Sequence, residues 1–187
     1  MKIERLVDVF VQNGQENDDC LHRKLFNINV NLFSNNREYR EIVFKIIEYM
    51  KTILCTTFKD YDRLKGVSGA NIGIPFNIVA TLYNGSIEIF INPIVVKTSR
   101  SKKEISSNCG SLNLPKAIKV ERYLWIQVEW IDVEGKKHKK CFTTDKDHNS
   151  TTKSVPVVYI PQVAYTLQHE IDHNNGILIT TPRKEAN

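Results

Sequence analysis

The sequence predicts an α+β fold in which antiparallel strands pack around a helix near the C-terminus, on three observations. Residues 36–56 carry apolar side chains at helical spacing: Ile42, Val43, Ile46, Ile47, Met50, Ile53 and Leu54. Residues 78–91 and 125–143 read instead as strands joined by short turns, and turns of that length connect antiparallel neighbours. From Pro161 the apolar period becomes helical again through Val163, Tyr165, Leu167 and Ile171. Helices kept apart from a run of strands indicate α+β, not an alternating α/β order.

Each element has its own signals. Asn35 or Asn36 can cap the first helix, whose stripe is expected to cover a core with no ligand role for Met50. Residues 66–75 are rich in small side chains. Strands are expected over 78–83 and 87–91 around the hairpin turn Asn84-Gly85, with Asn92-Pro93 closing the second and 94–96 opening a third. Residues 125–133 alternate as a half-buried strand does, and the turn Glu134-Gly135 leads to a basic partner strand near 139–143. Residues 145–154 read as an exposed loop. Pro161 suits a first helical turn and Gly176 suits the end.

With 187 residues, 41% hydrophobic and 25% charged, the chain is expected to form one domain, working as a monomer. No apolar run approaches the roughly 18 residues that cross a bilayer. The first residues lack a signal peptide's apolar stretch, so a cytoplasmic protein is expected, with an organellar setting left open. The net charge of +5 gathers at 97–103, 136–140 and Arg183-Lys184. These runs are solvated turns or, alternatively, an attraction to ribosomal RNA. Aromatic residues do not interleave with the lysines, which argues against a single-strand groove, and no DNA or membrane partner is expected. Cys20, Cys55, Cys109 and Cys141 form no CxxC pair, so neither a zinc ribbon nor a disulfide framework is indicated.

The chemistry concentrates in Gln168-His169-Glu170-Ile171-Asp172-His173. On a helix, residues four apart stand one above the other, so His169 and His173 can share a cation while Glu170 stands beside it. The pattern points to metal-assisted hydrolysis; the alternative is a polar helix face or a histidine satisfied by the core. A metzincin would place a third His at position 179, which is Ile179. A thermolysin-like ligand would lie downstream, where only Glu185 remains. The third ligand is therefore sought upstream. Cys109 is the best candidate, because Ser107-Asn108-Cys109-Gly110-Ser111 lets backbone approach a site closely. Cys20, Cys55 and Cys141, beside bulky apolar neighbours, read as ordinary core or edge thiols.

These residues resemble the peptide deformylases. The family's QHExDHxxG is matched by Gln168 through Gly176, its EGCLS by Ser107 through Ser111 with Cys109 and Ser111 kept, and its GxGΦAAxQ by Leu64 through Asn71 with Gly66 and Val67 kept. Ile91-Asn92-Pro93 is also similar, and the resemblance spans roughly 40–180. It implies a metal-dependent hydrolase that removes the formyl group from formyl-methionyl nascent peptides and releases formate. Cys109, His169 and His173 would hold one divalent ion, Fe²⁺ natively or Zn²⁺ or Ni²⁺. Glu170 would pass a proton to the departing amine, Asn71 and Gly110 would face the oxyanion, and Gly66, Val67, Asn108 and Tyr165 would contact substrate.

The departures carry expectations too. Asn71 is one methylene shorter than Gln, and Tyr165 puts a large ring where the family lines its methionine pocket with an apolar residue. Ser107 replaces a Glu and is expected to leave Arg122 without a carboxylate partner. The alternative function is a catalytically impaired, deformylase-like metal-binding protein with a binding or structural role.

Overall fold

The computed structural model describes residues 18–60, 65–83, 86–112, 114–145 and 155–181. Leu64, the Asn84-Gly85 turn, loop residues 146–154, Arg183-Lys184, Glu185 and the chain's first residues lie outside them. Four helices, α1 (Asp18–Leu21), α2 (Val30–Asn35), α3 (Arg37–Asp60) and α4 (Pro161–Asn174), accompany eight strands among the described residues. The strands are β1 (Gly66–Ser68), β2 (Ile78–Tyr83), β3 (Ser86–Thr98), β4 (Lys102–Ser107), β5 (Ile118–Tyr123), β6 (Trp125–Ile131), β7 (Lys137–Thr143) and β8 (Val157–Tyr159). Short 3₁₀ turns occupy Ala70–Ile72 and Gly110–Leu112. No described helix is long and apolar enough to cross a membrane.

Among the described residues, six strands form one sheet in the order β1-β2-β3-β6-β7-β8, and β4 pairs with β5 as a separate ribbon. Neighbours are antiparallel, as expected, except β7 and β8, which run parallel at one edge. The period of two divides the sheet's apolar residues between its faces. Val67, Ile78, Ala80, Ile89 and Ile91 pack with Ile42, Val43, Ile46, Ile47, Met50 and Leu54 of α3. Val79, Phe90, Ile126, Val128 and Phe142 pack with Val163, Ala164, Leu167 and Ile171 of α4. Helices therefore cover both faces. This is why residues 125–131 are nearly all buried and do not alternate as expected: even Gln127 is only 5% exposed.

Asn36 caps α3 as expected, its Oδ1 accepting from the Tyr39 amide at 2.9 Å. Asn92-Pro93 does not close a strand. β3 runs through it, with its register against β6 shifting between Ile91 and Ile94. Asn92 sits at φ 53°, and its carboxamide pairs with the chain at Ile28 as a backbone group would, accepting from Ile28 N at 2.7 Å and donating to Ile28 O at 2.8 Å. The basic runs are not turns alone: Lys97 lies in β3, Lys102 and Lys103 in β4, and Lys137, Lys139 and Lys140 in β7. Lys139 pairs with Glu129, and Lys140 lies over the Trp130 ring.

Candidate metal centre and cleft

Helix α4 presents two faces. Val163, Ala164, Leu167 and Ile171 enter the sheet core, which turns Thr166 and Glu170 toward β1. Three fastenings hold the helix in this rotation. Gly66 of β1 faces it so closely that an added Cβ would stand 2.4 Å from Thr166 Cγ2 and 3.1 Å from Glu170 Cγ, so the glycine is demanded by packing. Gln168 is buried; its oxygen accepts from Tyr123 N at 2.9 Å and its amide donates to Tyr123 O at 3.0 Å, fastening α4 to the end of β5. Asn174 reaches across to the start of β2, donating to Asn77 Oδ1 and Ile78 O at 3.0 Å each. Beyond the helix Gly176 adopts φ 72° against the Arg23 backbone, where a Cβ would lie 2.9 Å away.

The last turns of α4 meet the loop after β4 at three potential ligands. His173 Nε2 lies 3.1 Å from His169 Nε2 and 3.3 Å from Cys109 Sγ, and all three donor atoms fall within 4.8 Å of one another. Tetrahedral coordination with bonds of about 2.0–2.3 Å separates donors by roughly 3.3–3.7 Å, so the set fits one ion with small adjustment. Burial pushes His169 down to about 3, helped by His173 and Arg122, and pushes His173 down to about 4, so both imidazoles are neutral near pH 7 and carry a free lone pair. Burial raises the Cys109 thiol, with hydrogen bonds from Ser111 and Leu112 opposing it. A divalent cation would reverse that preference and hold the thiolate.

Glu170 stands beside these donors at 5% exposure, and its Oε2 has no partner among the described residues. Burial pushes the carboxyl up to about 8, against the opposing influence of Ser68 and Arg122. A buried carboxyl that titrates near neutrality is suited to carrying protons. Arg122 is not orphaned by Ser107: it is 2% exposed and forms an ion pair with Asp172, which corrects the expectation that it lacks a carboxylate. Its guanidinium also approaches His169 Nδ1 at 3.4 Å.

Cys109 and His169 line a cleft of about 920 Å³, as do Gly66, Val67, Asn71, Asn108, Gly110 and Tyr165. Asn108 does more than line it, since its Oδ1 accepts from Cys109 N at 2.9 Å and turns the loop. Gly110 faces open space, with nothing within 4 Å of an added Cβ. The Val67 side chain is buried toward α3, so only its main chain borders the cleft. Asn71 Oδ1 accepts from Ser68 N at 2.7 Å and Ser68 Oγ at 2.6 Å, while Nδ2 donates to Ser111 Oγ at 2.7 Å. One Nδ2 hydrogen is thus engaged and one is left. The cysteines behave as expected at Cys20 and Cys141, which are buried, and Cys55 is exposed.

Sequence reasoning missed the Asp172 partner of Arg122 and the fastenings made by Gln168 and Asn174. All three belong to the matched motif, and their polar types within a buried helix were the available signal.

Comparisons with known proteins bear on the family and the fold. The family model described as polypeptide deformylase matches residues 14–187. A peptide deformylase of Chloroflexus aurantiacus (strain ATCC 29366 / DSM 635 / J-10-fl) is 33% identical over 93 residues, 49% of this chain and 40% of that protein. One of Rhizobium meliloti (strain 1021) is 31% identical over 119 residues, 60% of this chain and 58% of that protein. The match thus spans two-fifths to three-fifths of these relatives' length. Among solved structures, the Met-Ala-Ser-bound class I type b peptide deformylase of Acinetobacter baumannii superposes with a TM-score of 0.66 at 17% identity, covering 89% of this chain and 94% of that one. The actinonin complex of the deformylase from Vibrio parahaemolyticus bacteriophage VP16T gives 0.62 at 19% identity, covering 88% and 96%. At such identities the superpositions establish the fold.

Proposed function

Because the chain belongs to the polypeptide deformylase family, we propose that it removes the formyl group from formyl-methionyl nascent peptides by metal-dependent hydrolysis, releasing formate. The observation that carries this reading is the convergence of Cys109 Sγ, His169 Nε2 and His173 Nε2 beside the buried Glu170 carboxyl, at a cleft that Cys109, His169 and Glu170 line. One divalent ion suits these donors, Fe²⁺ natively with Zn²⁺ or Ni²⁺ as substitutes. When bound, it supplies Lewis acidity that activates water and polarises the formyl carbonyl near neutral pH.

The protein's own groups do the rest. Glu170, ionised once the positive charge of a bound cation lowers its pKa, would accept a proton from the attacking water on Oε2 and deliver it to the departing amine nitrogen. The Gly110 main-chain N–H and the second Nδ2 hydrogen of Asn71 receive the carbonyl oxygen as charge develops there. Asn108 keeps Cys109 in place, and Gly66 and Val67, on the free edge of β1, offer main-chain groups to the peptide. Tyr165 narrows the space left for the methionyl side chain. The setting is wherever translation starts with formyl-methionine, the cytoplasm or an organelle, and the lysines of β7 give the protein a basic surface for ribosomal RNA. Neutralising residues 136–140 is expected to abolish co-sedimentation with ribosomes; unchanged co-sedimentation contradicts that contact.

One observation favours a second reading, a metal-binding protein with impaired turnover: the Asn71 amide is drawn toward Ser111. Losing one oxyanion donor costs about 10²- to 10³-fold in rate. Anaerobic purification, metal analysis and formate release from formyl-Met-Ala-Ser separate the two. Stoichiometric metal with turnover supports the enzyme, and metal without turnover selects the second reading. A chain that binds no divalent ion overturns both. Cys109→Ser is expected to weaken metal affinity sharply, and unchanged affinity excludes this ligand set.

A further inference from the structure

We propose that Asn71 is a positioning residue for the Cys109 sulfur: held by Ser68, it acts through Ser111 as a strut between β1 and the loop that carries the thiol. The inference rests on the metal-binding reading above and adds to it.

The orientation of the Asn71 carboxamide follows from donor chemistry. The main-chain N–H of Ser68 can only donate, and it lies 2.7 Å from Oδ1, so the oxygen faces β1. The same oxygen lies 2.6 Å from Ser68 Oγ; a carboxamide oxygen cannot donate, so the Ser68 hydroxyl gives it a second hydrogen bond. With the oxygen doubly held, Nδ2 points across the cleft to Ser111 Oγ at 2.7 Å, between residues 40 apart in sequence.

At Ser111 the chain of bonds turns toward the ligand. Its Oγ accepts from Asn71, and Ser111 stands two residues after Cys109 in the tight turn that Leu112 N closes by donating to Cys109 O at 3.3 Å. A bond that holds this turn also holds the direction in which the thiol leaves it. Leu112 packs beside Ala70 and Leu25, while Gly110 meets nothing within 4 Å of where a side chain would begin and Ser111 is itself exposed. The strut is thus a polar cross-cleft bond that ties the thiol-bearing loop to a strand whose Ser68 is fully buried.

The test uses the full chain loaded with cobalt(II), reading the near-ultraviolet thiolate-to-cobalt charge-transfer band and cobalt affinity by chelator competition. Asn71→Ala and Ser111→Ala are each expected to shift the band and weaken affinity about tenfold, the lower end for groups that orient a ligand. The double variant is expected to be no worse than the stronger single one, since both break the same strut. Ser111→Thr, which keeps the hydroxyl, is expected to retain the wild-type band. Ser111 is exposed, so its variants test the idea even if Asn71→Ala folds poorly. Wild-type band and affinity in Ser111→Ala, or fully additive losses in the double variant, overturn the strut. Absence of the charge-transfer band from the wild-type protein overturns the metal site itself.

Discussion

Arg122 shows how much of the centre is decided by single residues. It is nearly inaccessible, paired with Asp172 and close to His169, so it neutralises a carboxylate on the metal-binding helix and disfavours protonation of both imidazoles. Arg122→Met would take the ion pair from the largely buried Asp172; a loss of roughly 3 kcal/mol is expected in urea denaturation, and a loss below about 1 kcal/mol would contradict the pairing. The metal donors were legible in the sequence because His169 and His173 are helix neighbours and Cys109 lies among small residues. The partner of Arg122 was not, because a pairing across 50 residues leaves no local trace. The contacts of Asn71 with Ser111 were hidden for the same reason: a side-chain amide's direction is set by tertiary neighbours, not by its own spacing.

At the scale of elements, the site depends on how closely α4 lies against β1. Gly66→Ala places a methyl 2.4 Å from Thr166 Cγ2 and 3.1 Å from Glu170 Cγ, so the Thr166 side chain must rotate or the helix must shift. A cost of about 1–3 kcal/mol is expected, partly relieved in combination with Thr166→Ser, which removes the opposing methyl. Thermal melts of the two single variants and the double check this; equal stability of the wild type and Gly66→Ala would deny the contact. Both long helices were legible from period and caps, because each has one broad apolar face. The β4–β5 ribbon was not, since β4 is mostly exposed and polar and gives the short alternation of Ile118 and Val120 in β5 no apolar partner strand to be read against. Asn92-Pro93 looked like a strand end for a sound local reason, Pro lacking a donor. The strand continues because the Asn92 carboxamide replaces the missing ladder with bonds to Ile28.

For the molecule as a whole, the buried titratable groups set how stability depends on pH when no metal is bound. Glu170 keeps its proton to about 8 in the folded state against 4.5 when unfolded, so its contribution is full below 4.5 and is lost as pH rises through 8. His169 and His173 are held to about 3 and about 4 against 6.5, so unfolding takes up their protons and stability is lost as pH falls below 6.5. Above 6.5 the folded state holds one more proton than the unfolded; below it the two imidazoles of the unfolded chain outnumber Glu170. The metal-free protein is therefore expected to be most stable near pH 6.5, falling by about 1.4 kcal/mol per pH unit for each proton in excess on either side. Urea denaturation with a chelator present, from about pH 5 to 8, checks this, and stability that climbs steadily to the upper end of that range contradicts it. Adding Zn²⁺ at about 100 times its Kd is expected to raise stability by about 2.7 kcal/mol. The deformylase reading itself meets its sharpest test in formate release from formyl-Met-Ala-Ser by the metal-loaded wild type and by Glu170→Gln at equal metal content. Release by the wild type is expected, with a loss of at least about 10²-fold in the variant while its metal is retained; undiminished release by Glu170→Gln would rule out the proton transfer on which the reading depends.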